Sequence, residues 1–135
     1  MTQQVIDKLA WIALHQRRFL AVRSYGKELF YLPGGKREAG ETDQQALIRE
    51  IHEELSIHLE PSSLRPAGVF RAQADGKAIG VEVQLTCYWA TADNQQPQAS
   101  AEIEQFEWLN SDSSDQCSVA AVKVLEWLIE QDLVD

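Results

Sequence analysis

The chain has 135 residues, with 12 Lys or Arg against 21 Asp or Glu, and a formal net charge of −9. This acidic balance argues against nonspecific binding to duplex DNA or to an anionic membrane, because both favour cationic surfaces. Hydrophobic content of 44% and charged content of 24% are ordinary for a globular protein and exclude a fibre or a disordered chain. We therefore expect residues 1–135 to form one domain with a substantial core.

Neither the N-terminal sequence nor the cysteines indicate a secreted protein. The first residues lack a basic region followed by a long apolar run, and no apolar stretch of 18 residues occurs anywhere in the sequence. Cys87 and Cys117 have neither metal-site spacing nor the density of a disulfide framework. We expect a cytoplasmic protein with two reduced, structural cysteines.

The first part of the chain is predicted to form short strands. Apolar runs and alternation indicate three of them, over residues 5–14, 19–23 and 28–32. Pro33 ends the third strand, and Gly34 and Gly35 are expected to form a turn.

A helix is predicted from Asp43 to Leu55. Thr42 is a suitable N-cap, and Gln45 three residues later completes a capping-box pattern. Asp43 adds a favourable negative charge to the first turn.

Three glutamates of this helix share one face. Glu50, Glu53 and Glu54 stand at i, i+3 and i+4, beside an apolar arc that can be buried. Like charges at this spacing cost a few tenths of a kcal/mol, so we expect a cation there; the alternative is a solvated acidic helix face. Oxygen ligands suit Mg²⁺ or Mn²⁺ rather than zinc.

The second half of the chain returns to strands before a closing helix. Residues 64–74 and 80–91 read as a hairpin around the turn at 75–77, and residues 103–109 as an extended segment. An amphipathic helix over residues 119–129 follows. This order indicates an α+β fold, or an α/β/α sandwich, in which a mixed sheet lies between helices.

Residues 35–57 contain a long motif with fixed gaps. It reads Gly35, five residues, Glu41, seven residues, Arg49-Glu50-Ile51, one residue, Glu53-Glu54, one residue, Ser56-Ile57. This pattern closely resembles the Nudix box of the Nudix (MutT-like) hydrolases, except that the family has Gly where this chain has Ser56. The resemblance implies a Nudix-type fold and the hydrolysis of a nucleoside diphosphate linked to another moiety, by water attacking phosphorus with a divalent metal.

The resemblance also assigns roles within the box. Glu50, Glu53 and Glu54 would bind Mg²⁺ or Mn²⁺, together with the backbone carbonyl of Gly35. Arg49 resembles the internal arginine that holds the glutamates in place through charge-assisted hydrogen bonds. At the end of the helix, Ser56 falls where a glycine would relieve a left-handed backbone.

A further carboxylate in this family often comes from a loop. Glu102 is the candidate here, with Glu104 and Glu82 as competitors and an exposed loop acid as the alternative. The general base is left open between Glu50, Glu53 and a loop acid such as Glu102.

Substrate contacts are expected outside the acidic face. Lys36 and Arg23 are candidates for phosphate or base contacts, although either could be a solvated surface charge. Tyr31 or Phe30 is a candidate to stack on a nucleobase, with core packing as the alternative.

The leading hypothesis is a metal-dependent pyrophosphohydrolase acting on a nucleoside triphosphate or a similar small nucleotide. Alternatives are a nucleotide sugar, ADP-ribose or a dinucleotide polyphosphate as substrate, or a module that senses a nucleotide without turnover. A sensor would be expected to lack box carboxylates, and here all three are present. Exposed apolar strand residues would allow a homodimer, but the sequence does not select an oligomeric state.

Overall fold

The computed structural model describes residues 4–135, which form seven strands and two α-helices. The strands are β1 Val5–Ile12, β2 Leu14–His15, β3 Arg18–Ser24, β4 Gly34–Gly35, β5 Arg65–Gln73, β6 Glu82–Trp89 and β7 Ile103–Leu109. The helices are α1 Asp43–Leu55 and α2 Val119–Glu130, and short 3₁₀ turns lie at Pro61–Ser63 and Ser111–Gln116. Neither helix of this described part has the length and apolar character that crossing a membrane requires.

The strands form two sheets. The four-stranded sheet has the order β4-β1-β6-β5 and is mixed, because β1 runs parallel to β6 while the other neighbours are antiparallel. The three-stranded sheet has the order β2-β3-β7 and is antiparallel. The sequence predicted a single mixed sheet, so the separate second sheet is a finding of the structure.

Strand β1 shows how the mixed sheet lies between the helices. Leu9 and Trp11 pack in the cluster that contains the buried residues of α1, whereas Ala10 and Ile12 pack in the cluster that contains those of α2. Successive side chains of a strand point to opposite faces, so both faces of β1 are covered. The predicted α+β fold with a mixed sheet between helices is confirmed.

The segment before α1 differs from the prediction. Gly34 and Gly35 are not a turn but the strand β4, in register with Ala10 and Leu9. The glycine at 34 allows this approach, because a Cβ there would lie 2.0 Å from the carbonyl oxygen of Leu9. The strand predicted over 28–32 is reduced to two isolated bridges at Phe30 and Tyr31.

The predicted bounds and N-terminal cap of α1 are confirmed. Thr42 Oγ1 accepts a hydrogen bond from the backbone N–H of Gln45 at 3.2 Å, and Gln45 Oε1 accepts one from the N–H of Thr42 at 2.9 Å. Helix α1 then runs from Asp43 to Leu55. Ser56 has a φ of 57°, the left-handed conformation expected at the position where the family has glycine.

Both cysteines are free and buried, as expected. Burial raises the pKa of the Cys87 thiol to about 12 and that of Cys117 to about 11, and the neighbouring Asp115 carboxylate adds to the second shift. Thiols with such high pKa values are poor nucleophiles at neutral pH, which favours a structural role for both cysteines.

Candidate active site

A cavity of about 530 Å³ opens beside β1, β4 and α1. Its wall also includes the loop before β7 and the hairpin between β5 and β6. The charged side chains on this wall come from Lys8, Lys27, Lys36, Glu50, Glu54, Asp75, Lys77 and Glu102. A cavity with both cationic and anionic groups on its wall can hold an anionic ligand together with a cation.

Three carboxylates converge at this wall. Glu50, Glu54 and Glu102 each offer an oxygen atom, and the three atoms lie within 4.8 Å of one another. Carboxylates this close repel one another unless a proton or a cation lies between them. Oxygen-only donors fit a hard divalent cation such as Mg²⁺ or Mn²⁺, which agrees with the donor chemistry expected from the sequence.

Glu54 is the buried member of the cluster, with 5% of its surface exposed. Its Oε1 accepts a hydrogen bond from the backbone N–H of Gly34 at 3.1 Å. Burial raises the pKa of Glu54 to about 8 against the lowering effect of this hydrogen bond, and the charges of Glu50 and Glu102 raise it further. A carboxyl group whose pKa lies near neutral pH releases its proton readily when a cation binds.

Glu102 reaches the cluster because its loop is bound to the end of α1. The N–H of Ser100 donates to the carbonyl oxygen of Glu54 at 2.9 Å, and the N–H of Gln98 donates to that of Leu55 at 2.8 Å. The last carbonyls of a helix lack partners within the helix, so they are available to the loop. Helix α1 therefore supplies two ligand candidates and also fixes the loop that supplies the third.

Arg49 connects the loop before α1 to the acidic face. Its Nε and Nη2 donate to the two carboxylate oxygens of Glu41 at 2.7 and 2.9 Å, and its Nη1 donates to Glu50 Oε1 at 2.9 Å. Nη2 also donates to the carbonyl oxygen of Lys36 at 3.1 Å. The hydrogen bonds from Arg49 are the largest cause that lowers the pKa of Glu41 to about 2. This arrangement is the one expected of a residue that orients the glutamates.

Glu53 lies outside the group formed by Glu50, Glu54 and Glu102. Half of its side chain is exposed, and its oxygens lie 3.4 and 3.3 Å from Arg49 Nη1. Among the residues described, it therefore stands beside the cluster on the helix face, not in it.

Gly35 lies directly against Glu50. A Cβ at Gly35 would lie 2.6 Å from both Cδ and Oε2 of Glu50, closer than atoms can pack. Glycine at this position leaves room for the carboxylate, a role distinct from the expected carbonyl ligand.

Arg23 is not among the residues that line the cavity. Its guanidinium donates to Glu104 Oε1 at 2.7 Å, to Gln105 Oε1 at 2.6 Å and to the carbonyl oxygen of Lys27 at 3.1 Å. The structure thus does not bring Arg23 to the candidate site. Glu104, a competitor of Glu102 in the sequence analysis, pairs with Arg23 and is not in the group formed by Glu50, Glu54 and Glu102.

Lys36 and Tyr31 both reach the cavity wall. The hydroxyl of Tyr31 donates a hydrogen bond to the carboxylate of Asp75, which lies at the tip of the β5–β6 hairpin. Phe30, the alternative to Tyr31, is buried in the core.

Sequence reasoning missed three lysines of the cavity wall, Lys8, Lys27 and Lys77. Lys8 could have been found from the sequence, because it lies on β1 between Ile6 and Ala10, as a charged residue on an otherwise apolar face. Lys27 and Lys77 belong to turns, where a lysine is normally a solvated charge, so the sequence offered no signal for them.

Two sequence comparisons find matches to known proteins. A family model described as the NUDIX domain matches residues 8–128. A stretch of 35 residues is 51% identical to the human 8-oxo-dGDP phosphatase NUDT18, and it covers 26% of this chain but 11% of that protein.

Two solved structures are similar over most of the fold. The E. coli ORF135 protein has a TM-score of 0.72 at 21% identity, covering 96% of this chain and 92% of that one. The MutT NUDIX hydrolase from Burkholderia pseudomallei has a TM-score of 0.70 at 26% identity, covering 91% of this chain and 97% of that one. The similarity in fold extends well beyond the acidic helix and its glycine-rich approach.

Proposed function

The chain belongs to the NUDIX family, whose hydrolases act on nucleotide derivatives, and on this premise we propose that it cleaves a pyrophosphate bond in a nucleoside triphosphate or a similar small nucleotide. The observation that carries the proposal is the convergence of the Glu50, Glu54 and Glu102 carboxylates at the cavity wall. We also propose that residues 1–135 form a single domain, since the family model matches 8–128.

The proposed cofactor is Mg²⁺ or Mn²⁺, held by Glu50, Glu54 and Glu102. Such a cation would offset phosphate charge and acidify a bound water. Glu54 would bind as the carboxylate after losing its proton, while the N–H of Gly34 holds one of its oxygens in place. The backbone carbonyl of Gly35 is proposed as a further oxygen ligand.

Glu53 is proposed as an additional ligand. It lies on the same helix face as Glu50, its side chain is half exposed, and its contacts to Arg49 at 3.3 and 3.4 Å are long. A rotation of this exposed side chain would bring its oxygens towards a cation bound beside it.

Proton abstraction from the attacking water is assigned to one of Glu50, Glu53 and Glu102. Arg49 would act as a positioning residue, because its guanidinium holds Glu41 and Glu50 together. The pH–rate profiles of the three Glu→Gln variants distinguish the candidates, since loss of the base alters the acidic limb of the profile.

Substrate binding is assigned to Lys36 and Tyr31 on the cavity wall. Lys36 would contact phosphate, and Tyr31 would contact the nucleoside. Arg23 remains the weakest of the proposed contacts, because its guanidinium is already bonded to three acceptors.

A nucleotide panel with product identification tests the proposal. The panel contains nucleoside triphosphates, nucleotide sugars, ADP-ribose and dinucleotide polyphosphates, and also 8-oxo-dGDP because of the partial match to the human phosphatase. We expect Mg²⁺-dependent release of phosphate-containing products from at least one compound. Tight binding across the panel with no metal-dependent turnover would instead identify a nucleotide sensor.

A further inference from the structure

The lysines of this acidic chain are concentrated at one place. The sequence contains five, at positions 8, 27, 36, 77 and 123. Four of them, Lys8, Lys27, Lys36 and Lys77, line the cavity beside the carboxylate cluster. The fifth, Lys123, is exposed on α2. In a chain with a net charge of −9, this grouping places four positive charges on the same wall as the carboxylates.

The four cavity lysines are not engaged by the protein itself. Within residues 4–135, no carboxylate oxygen lies within 4.0 Å of any of their ammonium groups, whereas Arg23, Arg37 and Arg49 are each held by carboxylates. These ammonium groups are therefore available to an anion that enters the cavity.

Lys8 is the innermost of the four. Its side chain is partly buried on β1, while Lys27, Lys36 and Lys77 are exposed. Burial lowers the pKa of Lys8, and so do the charges of Lys36 and Lys27, against the opposing effect of Glu54 and Glu50. A partly buried ammonium group without an ion-pair partner is unfavourable, and a phosphate oxygen would compensate for its desolvation.

We infer that Lys8, with Lys27 and Lys36 beside it, binds the phosphate that a nucleoside triphosphate has beyond the two phosphates of a nucleotide sugar. This inference rests on the proposed function. A divalent cation held by Glu50 and Glu54 would offset much of the charge of two phosphates, so a third phosphate would leave negative charge for the lysines to offset. The lysines thus select the substrate by its number of phosphates.

The test compares two substrates of the same nucleoside, its triphosphate and its diphosphate sugar. Lys8→Met keeps the length of the side chain and removes its charge. We expect KM for the triphosphate to rise about tenfold or more, because one charge-assisted contact is lost, with kcat changed less than about threefold. KM for the diphosphate sugar should change less than about threefold, and Lys8→Arg should restore most of the affinity for the triphosphate.

Lys123→Met is the matched control, because it removes an exposed lysine of α2 outside the cavity. Equal behaviour of Lys8→Met and Lys123→Met on both substrates would overturn the inference. An equal rise in KM for both substrates would overturn selection by phosphate number. A melting temperature within a few degrees of the wild type establishes that Lys8→Met is folded. Lys77→Met, at the exposed hairpin, measures how KM for the triphosphate changes when a second lysine of the cavity wall loses its charge.

Calorimetry with inorganic tripolyphosphate and pyrophosphate, in Ca²⁺, separates this inference from the proposed function. Tighter binding of tripolyphosphate that is lost in Lys8→Met supports the inference even if no nucleotide is hydrolysed. Equal binding of the two anions by the wild-type protein and Lys8→Met counts against it even if the protein is an active hydrolase.

Discussion

The backbone N–H of Gly34 donates a hydrogen bond to Oε1 of Glu54 at 3.1 Å and so joins β4 to α1. This bond fixes one oxygen of a buried carboxyl group whose neighbours are Glu50 and Glu102. The loop that carries Glu102 is in turn bonded to the last carbonyls of α1. The candidate metal site therefore depends on the approach of three chain segments, and several of its contacts can be tested one at a time.

Glu54→Gln tests the central carboxylate. We expect metal-dependent activity to fall about 100-fold or more, because the amide cannot offer a negative charge to a divalent cation. The measurement is the initial rate of product release over a range of Mg²⁺ concentrations. Glu126→Gln, an exposed glutamate of α2, is the control and should retain the wild-type rate. Comparable rates for the two variants would remove Glu54 from the proposed ligand set.

The metal-free protein should lose stability as the pH rises from about 4.5 to 8. The pKa of Glu54 is raised from its ordinary value of 4.5 to about 8 in the folded state, so the folded protein holds a proton that the unfolded chain has released. Stability from this group is therefore present below the unfolded pKa and is lost as pH rises through the folded pKa, at up to about 1.4 kcal/mol per pH unit.

Urea unfolding in EDTA at several pH values measures this effect. Glu54→Gln should be more stable than the wild type at pH 8 and similar to it at pH 4.5, because the amide does not ionise. Mg²⁺ should stabilise the wild type more at pH 8 than at pH 6, since the cation binds the ionised carboxylate. Parallel pH profiles for the two proteins in EDTA would contradict the assigned pKa.

Gly35→Ala should disturb the site without a backbone penalty. The new Cβ would lie 2.6 Å from the carboxylate of Glu50, and the φ of Gly35 is outside the left-handed region. We expect weaker Mg²⁺ activation and a loss of activity of about tenfold or more, because Glu50 has to move. Gly68→Ala is the matched control, since Gly68 also lies outside the left-handed region and its Cβ would meet the ring of Phe70 at 3.2 Å. An unchanged Mg²⁺ dependence in Gly35→Ala would show that Glu50 can move without consequence.

Arg49→Lys tests orientation of the acidic face. Lysine keeps the charge but cannot reproduce the paired contacts to both oxygens of Glu41 together with the contact to Glu50. We expect kcat to fall about 10- to 100-fold, with the larger effect on kcat than on KM. Arg71→Lys, whose guanidinium contacts Gln84 on the sheet surface, should change neither value appreciably. A purely structural role of Arg49 would lower the melting temperature and leave kcat of the folded fraction unchanged.

Ser56→Gly should stabilise the protein by about 0.5–1 kcal/mol. Ser56 has a φ of 57° at the end of α1, where glycine avoids the cost of the left-handed backbone. The substitution also removes the contact between the Ser56 and Ser100 hydroxyls at 3.1 Å, which Ser56→Ala removes without relieving the backbone. Urea unfolding of both variants separates the two contributions. A loss of stability in Ser56→Gly as large as that in Ser56→Ala would mean that the hydroxyl contact outweighs the backbone cost.

Local features of the sequence were enough to predict the acidic helix. The capping box of Thr42 and Gln45 set the start of α1, and the spacing of Glu50, Glu53 and Glu54 placed them on one face. Such features are predictable because they depend on contacts within about one turn of the same helix. The left-handed conformation of Ser56 was also predicted, from its position just past the end of the helix.

The sequence by itself therefore determined the family, the bounds of α1 and the placing of Glu50, Glu53 and Glu54 on one face of that helix, since motif spacing and helical period are local. Tertiary structure decided which other charges meet them. The pairing of β3 with β7 places Arg23 opposite Gln105 and beside Glu104, while Glu102 turns to the cluster. Likewise the pairing of β4 with β1 places Gly35 and Lys36 on the same cavity wall as Lys8. These neighbours are set by the register between distant strands, which no short-range pattern records.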